Sequence, residues 1–415
     1  MVLGALFSSA VTSVPRSFLV YGVPGLVLLW QGGRLLNRLW WQPRRLERAL
    51  RAQGLRGTLY RFLTGDLKDF DRLNKEAWAR PPLPLGCHDI VPRVTPFLCN
   101  RVREHGKTSF AWFGPIPNVT ITDPALVKDL LSNKFGHFEK PQFPALTKLL
   151  SDGLKSCSCN SSISAFLRGL VGKRIQAMKE GEPTKDDLLG LLLESNMRDT
   201  DGNGQSSLGM TIEDVIEECK LFYFAGMETT SVLLTWTMIL LSMHPEWQGH
   251  AREEVIGLFG KTKPEYEGLS RLKTVNMILY EVLRLYPPGV RFSRRTYKEM
   301  KIGNVTYPAG AFIEIPVLFM HHDPDTWGSD ANDFKPERFA EGNSMASKAS
   351  GAFLPFGWGP RICIGQNFAL LEARMAMCMI FQRFEFELAP SYTHAPYAVL
   401  TLHPMHGAQI KLRAS

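Results

Sequence analysis

The chain has 415 residues, of which 45% are hydrophobic and 21% are charged. This composition is typical of a globular protein and excludes a disordered, a collagen-like or a disulfide-scaffold chain. The net charge of +8 leaves nucleic acid, an anionic membrane and an acidic protein open as partners, so the position of the charge must decide among them. The seven cysteines are odd in number, which indicates a reducing compartment.

An apolar N-terminal segment predicts a membrane anchor over residues 1–33. Residues 17–33 carry no charge, and between residues 31 and 60 there are seven arginines against one acid, Glu47. A basic flank of this kind is typical of a signal anchor whose following segment stays in the cytosol. A cleaved signal peptide is the alternative, but no small-residue cleavage site precedes the arginines. Because the basic residues flank an apolar segment, the charge distribution argues against binding to nucleic acid.

The body of the chain is predicted to be mainly α-helical with small β-sheets. Residues 34–80 form a basic linker and amphipathic segment, and a proline-rich stretch then leads into a body over residues 81–415. Two strand-like runs, TSFAWFG and NVTITD, predict a hairpin turned by residues 115–117, and Asp123 before Pro124 predicts the start of a helix. Helical periodicity dominates the rest, most strongly over residues 211–243, 270–286 and 363–384, with strand-like runs at 290–297 and 311–318.

Three patterns resemble metal sites and are interpreted otherwise. Residues 199–204 (DTDGNG) resemble the start of a calcium loop, but Met210 stands where a bidentate glutamate is needed. The pair Cys157 and Cys159 lacks a second pair of ligands, which argues against a zinc site. His321 and His322 precede Asp-Pro-Asp and are predicted to lie in a turn.

A cysteine-centred motif stands before the last helical stretch. It reads Phe356-Gly-Trp-Gly359-Pro-Arg361-Ile-Cys363-Ile-Gly365. A thiolate at a helix N-terminus is stabilised by the free N–H groups and the helix dipole, which suits Cys363 to ligate a metal. Gly359 permits a tight turn, Gly365 lets a flat ligand approach the backbone, and Arg361 can pair with a carboxylate of that ligand. A buried structural cysteine after a turn is the alternative interpretation.

The motif matches F-x-x-G-x-R-x-C-x-G, and through it the sequence resembles the cytochrome P-450 family of haem-thiolate monooxygenases. The resemblance implies the cytochrome P-450 fold as a single large domain, haem b as the cofactor, and Cys363 as the axial ligand of the iron. A cysteinate ligand pushes electron density onto the iron and favours O–O bond cleavage. The expected reaction inserts one oxygen atom of O2 into a hydrophobic small molecule.

A second motif lies in the predicted helix over residues 211–243, where residues 225–230 read Ala-Gly-Met-Glu-Thr-Thr. Taken alone, hydroxyls in a helix often bond only to the i−4 carbonyl, and a buried acid is costly. The segment matches the A/G-G-x-D/E-T-T pattern of the family's distal helix. The resemblance implies that Gly226 leaves room for dioxygen, that Thr229 hydrogen-bonds the dioxygen and that Glu228 feeds protons toward it.

A third motif pairs Glu281 with Arg284 on one helical face. Such a pair is usually a solvated surface contact. Through the patterns E-x-x-R and P-E-R-F, the resemblance implies a buried structural network of Glu281, Arg284 and Arg338 that braces the segment before the cysteine. Arg294 resembles the arginine that binds a haem propionate, and an exposed strand arginine is the alternative.

Stretches such as KFGHFEKP and FAGMETTSVLLTWTMILLSMHPEWQ are most similar to the plant clan that includes secologanin synthase. The resemblance implies an enzyme of plant secondary metabolism in the endoplasmic reticulum membrane, with its catalytic domain facing the cytosol. It also implies electrons from NADPH through NADPH-cytochrome P-450 reductase, and a bulky apolar substrate such as a terpenoid or a plant hormone.

The resemblance is interrupted at residues 154–164. Both sides match the family, but a short polar stretch joins them, so we expect a deletion-like junction with part of the helical distal and roof region missing. Several helices with their connections amount to on the order of a hundred residues. The missing part includes the family's W-x-x-x-R helix, which supplies a propionate-binding arginine. An alternative transcript or a gene-model error explains this junction better than an evolved compact enzyme, and the alternative function is a noncatalytic, haem-deficient membrane protein.

Overall fold

A computed structural model describes residues 21–132, 138–139, 159–181, 187–198 and 211–414. Helices dominate this part of the chain. In chain order they are α1 (Val23–Leu36), α2 (Gln42–Ala52), α3 (Leu67–Ala79), α4 (Val91–Val94), α5 (Pro96–His105), α6 (Pro124–Ser132), α7 (Cys159–Lys179), α8 (Leu188–Arg198), α9 (Ile212–Met243), α10 (Pro245–Phe259), α11 (Tyr266–Leu269), α12 (Thr274–Leu285), α13 (Val317–His321), α14 (Pro324–Trp327) and α15 (Gln366–Phe381). A π-helical segment, Asn37–Trp41, joins α1 to α2, and short 3-10 turns lie at Pro336–Phe339 and Gly359–Arg361.

The strands form small sheets. They are β1 (Arg56–Gly57), β2 (Ser109–Phe113), β3 (Ile116–Thr120), β4 (Phe138–Glu139), β5 (Phe292–Thr296), β6 (Met300–Ile302), β7 (Val305–Tyr307), β8 (Phe312–Ile315), β9 (Phe384–Leu388), β10 (Pro396–Ala398), β11 (Leu402–Pro404) and β12 (Ile410–Ala414). Six of them form one mixed sheet in the order β1-β2-β3-β8-β5-β4, and the others pair as β6 with β7, β9 with β12 and β10 with β11. The prediction of a mainly helical fold with small sheets is confirmed.

The predicted hairpin forms between β2 and β3, which pair antiparallel with Ser109 opposite Thr120. Its connection is shorter than predicted. Gly114 has a φ of +57°, so the chain reverses within two residues, and Pro117 lies in β3 opposite Trp112. The following helix, α6, begins as predicted: the Asp123 carboxylate accepts a hydrogen bond from the Leu126 N–H at 2.9 Å.

The long helix α9 forms the centre of the core. It begins at a capping box, in which Thr211 and Asp214 each accept a hydrogen bond from the other's backbone N–H. Its C-terminal half is buried against α12, α15 and β9. Its N-terminal half leaves Leu221, Tyr223 and Met227 exposed. Within the described ranges α9 is the one helix long and apolar enough to cross a bilayer, but its buried half identifies it as a core helix.

Two predicted features lie partly outside the described residues. Of the predicted anchor, residues 1–20 are not described, and α1 contains the remainder. None of the described side chains of α1 is buried, and its apolar residues include the exposed Leu28, Leu29 and Trp30. Of the predicted junction, residues 154–158 are not described, and residues 159–164 begin α7. The anchor and the junction therefore stay predictions.

Candidate active site

The loop that carries Cys363 is a tight turn held by its own backbone. The Cys363 N–H donates to the Phe356 carbonyl at 2.9 Å, and the Gln366 N–H, at the start of α15, donates to the Cys363 carbonyl at 3.3 Å. Gly359 has a φ of +72°, and a Cβ at this position would lie 2.3 Å from the Leu131 carbonyl oxygen at the end of α6. Only glycine fits this position, because the two backbones lie against each other.

The thiol of Cys363 is exposed, and apolar side chains surround it in the sequence. Ile364 is 83% exposed and Phe368 is 68% exposed, and Ile362 and Trp358 are also exposed. Large apolar side chains at such exposure are unusual for a core-forming segment and indicate a binding surface. A Cβ at Gly365 would lie 3.8 Å from the Cys363 sulfur, which is an ordinary van der Waals contact.

Two arginines lie near each other beside this loop. Arg294 on β5 is buried. The alternative interpretation, in which Arg294 is an exposed strand residue, is therefore wrong. Burial lowers the pKa of Arg294, and the positive charge of Arg361 lowers it further. One Arg294 nitrogen donates to the Ser293 carbonyl at 3.0 Å. Among the described residues neither arginine has a carboxylate within ion-pair distance, so the pair is open to an anionic partner.

These groups fit a flat apolar cofactor with acidic side groups. The thiol supplies one metal ligand, the exposed apolar residues supply a surface for a hydrophobic ring, and the Arg294 and Arg361 guanidinium groups supply partners for carboxylates. Haem has each of these properties.

The distal motif lies on α9, which packs against α15. Gly226 has open space beside its Cα, because no heavy atom of the described residues beyond the local helix backbone would lie within 4 Å of a Cβ added there. The Thr229 hydroxyl donates to the Ala225 carbonyl at 2.7 Å, which is the ordinary i−4 contact of a helical hydroxyl. The structure does not pair Glu228 with Thr229. One Glu228 oxygen instead accepts from the Thr401 hydroxyl at 2.6 Å and contacts the His403 Nε2 at 2.8 Å.

The three predicted structural residues lie together. Arg284 donates to both oxygens of Glu281 at 2.7 Å, and both side chains are fully buried. The Arg338 Nε is 3.6 Å from a Glu281 oxygen, which is an electrostatic contact and not a hydrogen bond. Arg284 also donates to the carbonyls of His321 at 2.9 Å and Ala331 at 2.6 Å. The network therefore ties α12 to the segments that follow β8.

Sequence reasoning missed the role of His321, because His-His before Asp-Pro-Asp is typical of a turn. The structure buries both His321 and His322. The Leu354 N–H donates to the His321 Nε2 at 3.0 Å, so the proton of the ring is on Nδ1, which donates to the Arg284 carbonyl at 3.2 Å. His321 thus connects the arginine network to the segment that leads into the cysteine loop. Because His321 and Leu354 are far apart in the sequence, the residues around either of them give no sign of this contact.

The whole chain is similar to several known proteins. A model of the family described as Cytochrome P450 matches residues 141–402. Cytochrome P450 CYP72A616 of Paris polyphylla is 45% identical over 489 aligned positions, with 90% of this chain and 94% of the relative covered. Cytochrome P450 72A15 of Arabidopsis thaliana is 41% identical, with 92% and 96% covered. Secologanin synthase 1 of Catharanthus roseus is 37% identical, with 93% and 95% covered.

The chain therefore belongs to the cytochrome P450 family. Members of this family are monooxygenases that bind haem through a cysteine thiolate, so the predictions of enzyme class and cofactor are confirmed. The relatives also confirm the predicted similarity to the plant clan of secologanin synthase. The alignment with the Paris polyphylla relative is longer than the chain itself, 489 positions against 415 residues, so at least 74 positions of the relative have no counterpart here.

Proposed function

We propose that this chain is a monooxygenase of the plant endoplasmic reticulum membrane that inserts one oxygen atom of O2 into a hydrophobic small molecule. It takes electrons from NADPH through NADPH-cytochrome P450 reductase. The observation that carries the proposal is the exposed Cys363 thiol in its glycine-bent loop, between exposed apolar residues and the pair Arg294 and Arg361. When bound, haem supplies the activation of dioxygen, which protein side chains do not perform alone.

Each residue of the site has a distinct task in this proposal. Cys363 would hold the haem iron through its thiolate, and Arg294 and Arg361 would bind the two carboxylates of haem. The exposed side chains of Ile364 and Phe368 would cover the ring of a bound haem and exclude water from it. On α9, Gly226 leaves space for a small ligand, Thr229 offers its hydroxyl, and Glu228 holds a proton-accepting carboxylate.

The ligand assignment is tested by a carbon monoxide difference spectrum of the reduced full-length protein. We expect the red-shifted band of a haem-thiolate, and we expect Cys363→Ser to abolish it. Cys378→Ser is the matched control, because Cys378 is buried in α15 and burial raises the pKa of its thiol to about 12. Equal loss of the band in both variants would reject Cys363 as the ligand.

The substrate is proposed to be a bulky, apolar terpenoid or a similar plant hormone. One relative is named for forming secologanin, and the N-terminal half of α9 exposes Leu221, Tyr223 and Met227 on its surface. An apolar wall of this kind favours an apolar ligand. Titration with terpenoids should perturb the haem absorption spectrum, whereas sugars should not.

A second function is supported by the length of the alignments. If the positions absent from this chain are the helices that roof the site, the protein is a noncatalytic membrane protein that holds haem poorly. The exposed apolar residues of α9 are consistent with a missing cover. Haem content measured per polypeptide distinguishes the two functions: a ratio near one supports the enzyme, and a ratio near zero supports the noncatalytic protein. Sequencing the transcript across residues 154–164 then shows whether the junction is genuine.

The membrane topology is tested at Asn304, which stands in an Asn-Val-Thr sequon in the exposed turn between β6 and β7. Asn118 stands in a similar sequon, but it is buried and donates to Glu314 at 3.0 Å, so it cannot carry a glycan in the folded protein. A cytosolic body predicts that treatment with an N-glycosidase leaves the mass unchanged. A mass shift that Asn304→Gln removes would show that the body is lumenal.

A further inference from the structure

The carboxylate of Glu228 on α9 meets the hairpin formed by β10 and β11. Its Oε1 atom accepts from the Thr401 hydroxyl at 2.6 Å and is 2.8 Å from the His403 Nε2. The Thr401 oxygen and the His403 Nε2 are 2.7 Å apart. Because a carboxylate only accepts hydrogen bonds, the His403 Nε2 must carry a proton, which it shares between the two oxygens. The three groups therefore form a closed hydrogen-bonded triangle.

This triangle connects a partly buried acid to solvent. The Glu228 side chain is 22% exposed, and the His403 side chain is 38% exposed. Burial raises the pKa of Glu228, but the hydrogen bonds from Thr401 and His403 and the charge of His403 outweigh burial, so the pKa lies below its ordinary value. The ring of Tyr397 on β10 lies near His403, at 6.5 Å between ring centroids. Glu228 is thus an ionised proton acceptor with a proton donor beside it.

The hairpin does not need this triangle to stay attached to the core. The Trp236 Nε1 on α9 donates to the Leu402 carbonyl at 2.7 Å in a buried position. The Leu402 N–H donates to the Pro288 carbonyl at 3.1 Å. Both contacts hold β11 in place between Thr401 and His403. His403 is therefore not needed to attach the hairpin to the core, because these two hydrogen bonds already attach it.

We infer that His403 is a positioning residue that fixes the Glu228 carboxylate and exchanges protons between it and solvent. This inference rests on the proposed function, in which Glu228 is the acid of the distal helix. The exposed ring takes a proton from water, and the Nε2–H proton passes to the Glu228 Oε1. Only N–H and O–H bonds change, and no oxidant or reductant is needed. The ring returns to its Nε2–H form by exchange with solvent after Glu228 has given its proton onward.

The hydrogen bonds of Thr229 and Glu228 indicate that Glu228 receives its proton from the hairpin side. It donates to the Ala225 carbonyl and is not a hydrogen-bond partner of Glu228. Among the described residues, the Glu228 carboxylate contacts Thr401 and His403, which both lie on the hairpin side. Of these two, only the imidazole has a second ring nitrogen that can take up a proton from solvent while Nε2 faces Glu228. A proton that reaches Glu228 by these contacts therefore comes through His403.

The test uses the full chain and the variant His403→Gln, which keeps a hydrogen-bond donor but cannot exchange protons. The titration of the Glu228 carboxylate is followed by 13C NMR without turnover, and Glu228→Gln identifies its signal. We expect the midpoint to rise by about one pH unit in His403→Gln. In the haem-loaded His403→Gln enzyme we expect the rate of product formation to fall about tenfold, and we expect a larger solvent isotope effect on this rate. The control is His406→Gln, because His406 is exposed and nearby in the sequence.

The outcomes separate this inference from the proposed function. An unchanged Glu228 midpoint in His403→Gln, or an isotope effect equal to that of His406→Gln, rejects the role of His403. Circular dichroism checks that His403→Gln folds. Thr401→Val removes one partner of Glu228 and retains the imidazole, so its isotope effect should rise less than that of His403→Gln. If the carbon monoxide band is absent from the wild type, the proposed function fails, and the NMR midpoint alone decides whether His403 controls Glu228.

Discussion

Single residues explain why the cysteine loop has this sequence. Gly359 combines a positive φ with close backbone contact to α6, and Gly357 also has a positive φ of +77°. The sequence pattern predicted a tight turn at Gly359, but the contact with Leu131 could not be predicted, because it joins segments far apart in the chain. The same limit applies to Glu228: its acidic nature was evident from the motif, whereas its partners Thr401 and His403 depend on the packing of a distant hairpin.

We predict that Gly359→Ala destabilises the protein by about 3 kcal/mol. About 1 to 2 kcal/mol arises from the left-handed backbone, and the remainder arises from overlap with the Leu131 carbonyl. Gly342→Ala is the control, because Gly342 has a φ of +89° and open space around it. Chemical denaturation of both variants measures the difference. Equal losses of stability would mean that the contact with α6 contributes nothing.

At the scale of elements, α12 is held by a charged network that is fully buried. The spacing of Glu281 and Arg284 predicted that they share a helical face, but spacing alone could not distinguish a surface pair from a buried one. The chain that follows α13 and α14 buries both side chains. In this segment the Ala331 carbonyl accepts a hydrogen bond from Arg284, and the Lys335 N–H donates to Glu281 at 2.9 Å. The positions of the long helices were predicted well, because their apolar stripes are local features of the sequence.

Glu281→Gln is expected to lower the free energy of unfolding by about 3 kcal/mol or more, because it leaves the buried Arg284 charge without its partner. The matched variant is Asp71→Asn on α3, which breaks an exposed helical pair with Lys75. We expect no measurable loss there, because solvent screens the pair. Thermal and denaturant unfolding of both variants would test this, and similar effects of the two substitutions would contradict it.

At the scale of the whole molecule, buried histidines join distant parts of the chain. The ring of His88 contacts the Tyr286 hydroxyl at 2.9 Å and the His244 Nε2 at 3.1 Å. The same hydroxyl contacts the His394 Nε2 at 3.1 Å. These contacts connect the segment before α4, the ends of α9 and α12, and the segment before β10. Burial lowers the pKa of His88 to about 3 and that of His394 to about 4.

We predict that the fold loses stability as the pH falls below about 6.5. The unfolded chain binds protons at these histidines near pH 6.5, whereas the folded chain binds them only near pH 3 to 4. Each histidine therefore lowers the stability by about 1.4 kcal/mol per pH unit within this window. Denaturant unfolding at pH 7.5, 6 and 5 would show the loss. His88→Gln should reduce the slope, and a slope that His88→Gln leaves unchanged would contradict the assignment.

The contact between Gly359 and the end of α6 also has a consequence for biosynthesis. A ribosome makes α6 early, but the loop that packs against it is made more than two hundred residues later. Because chains emerge from the N-terminus, this contact must wait until almost the whole polypeptide has been synthesised. The cysteine loop is then among the last parts to reach its native shape. Haem capture is therefore expected to follow translation.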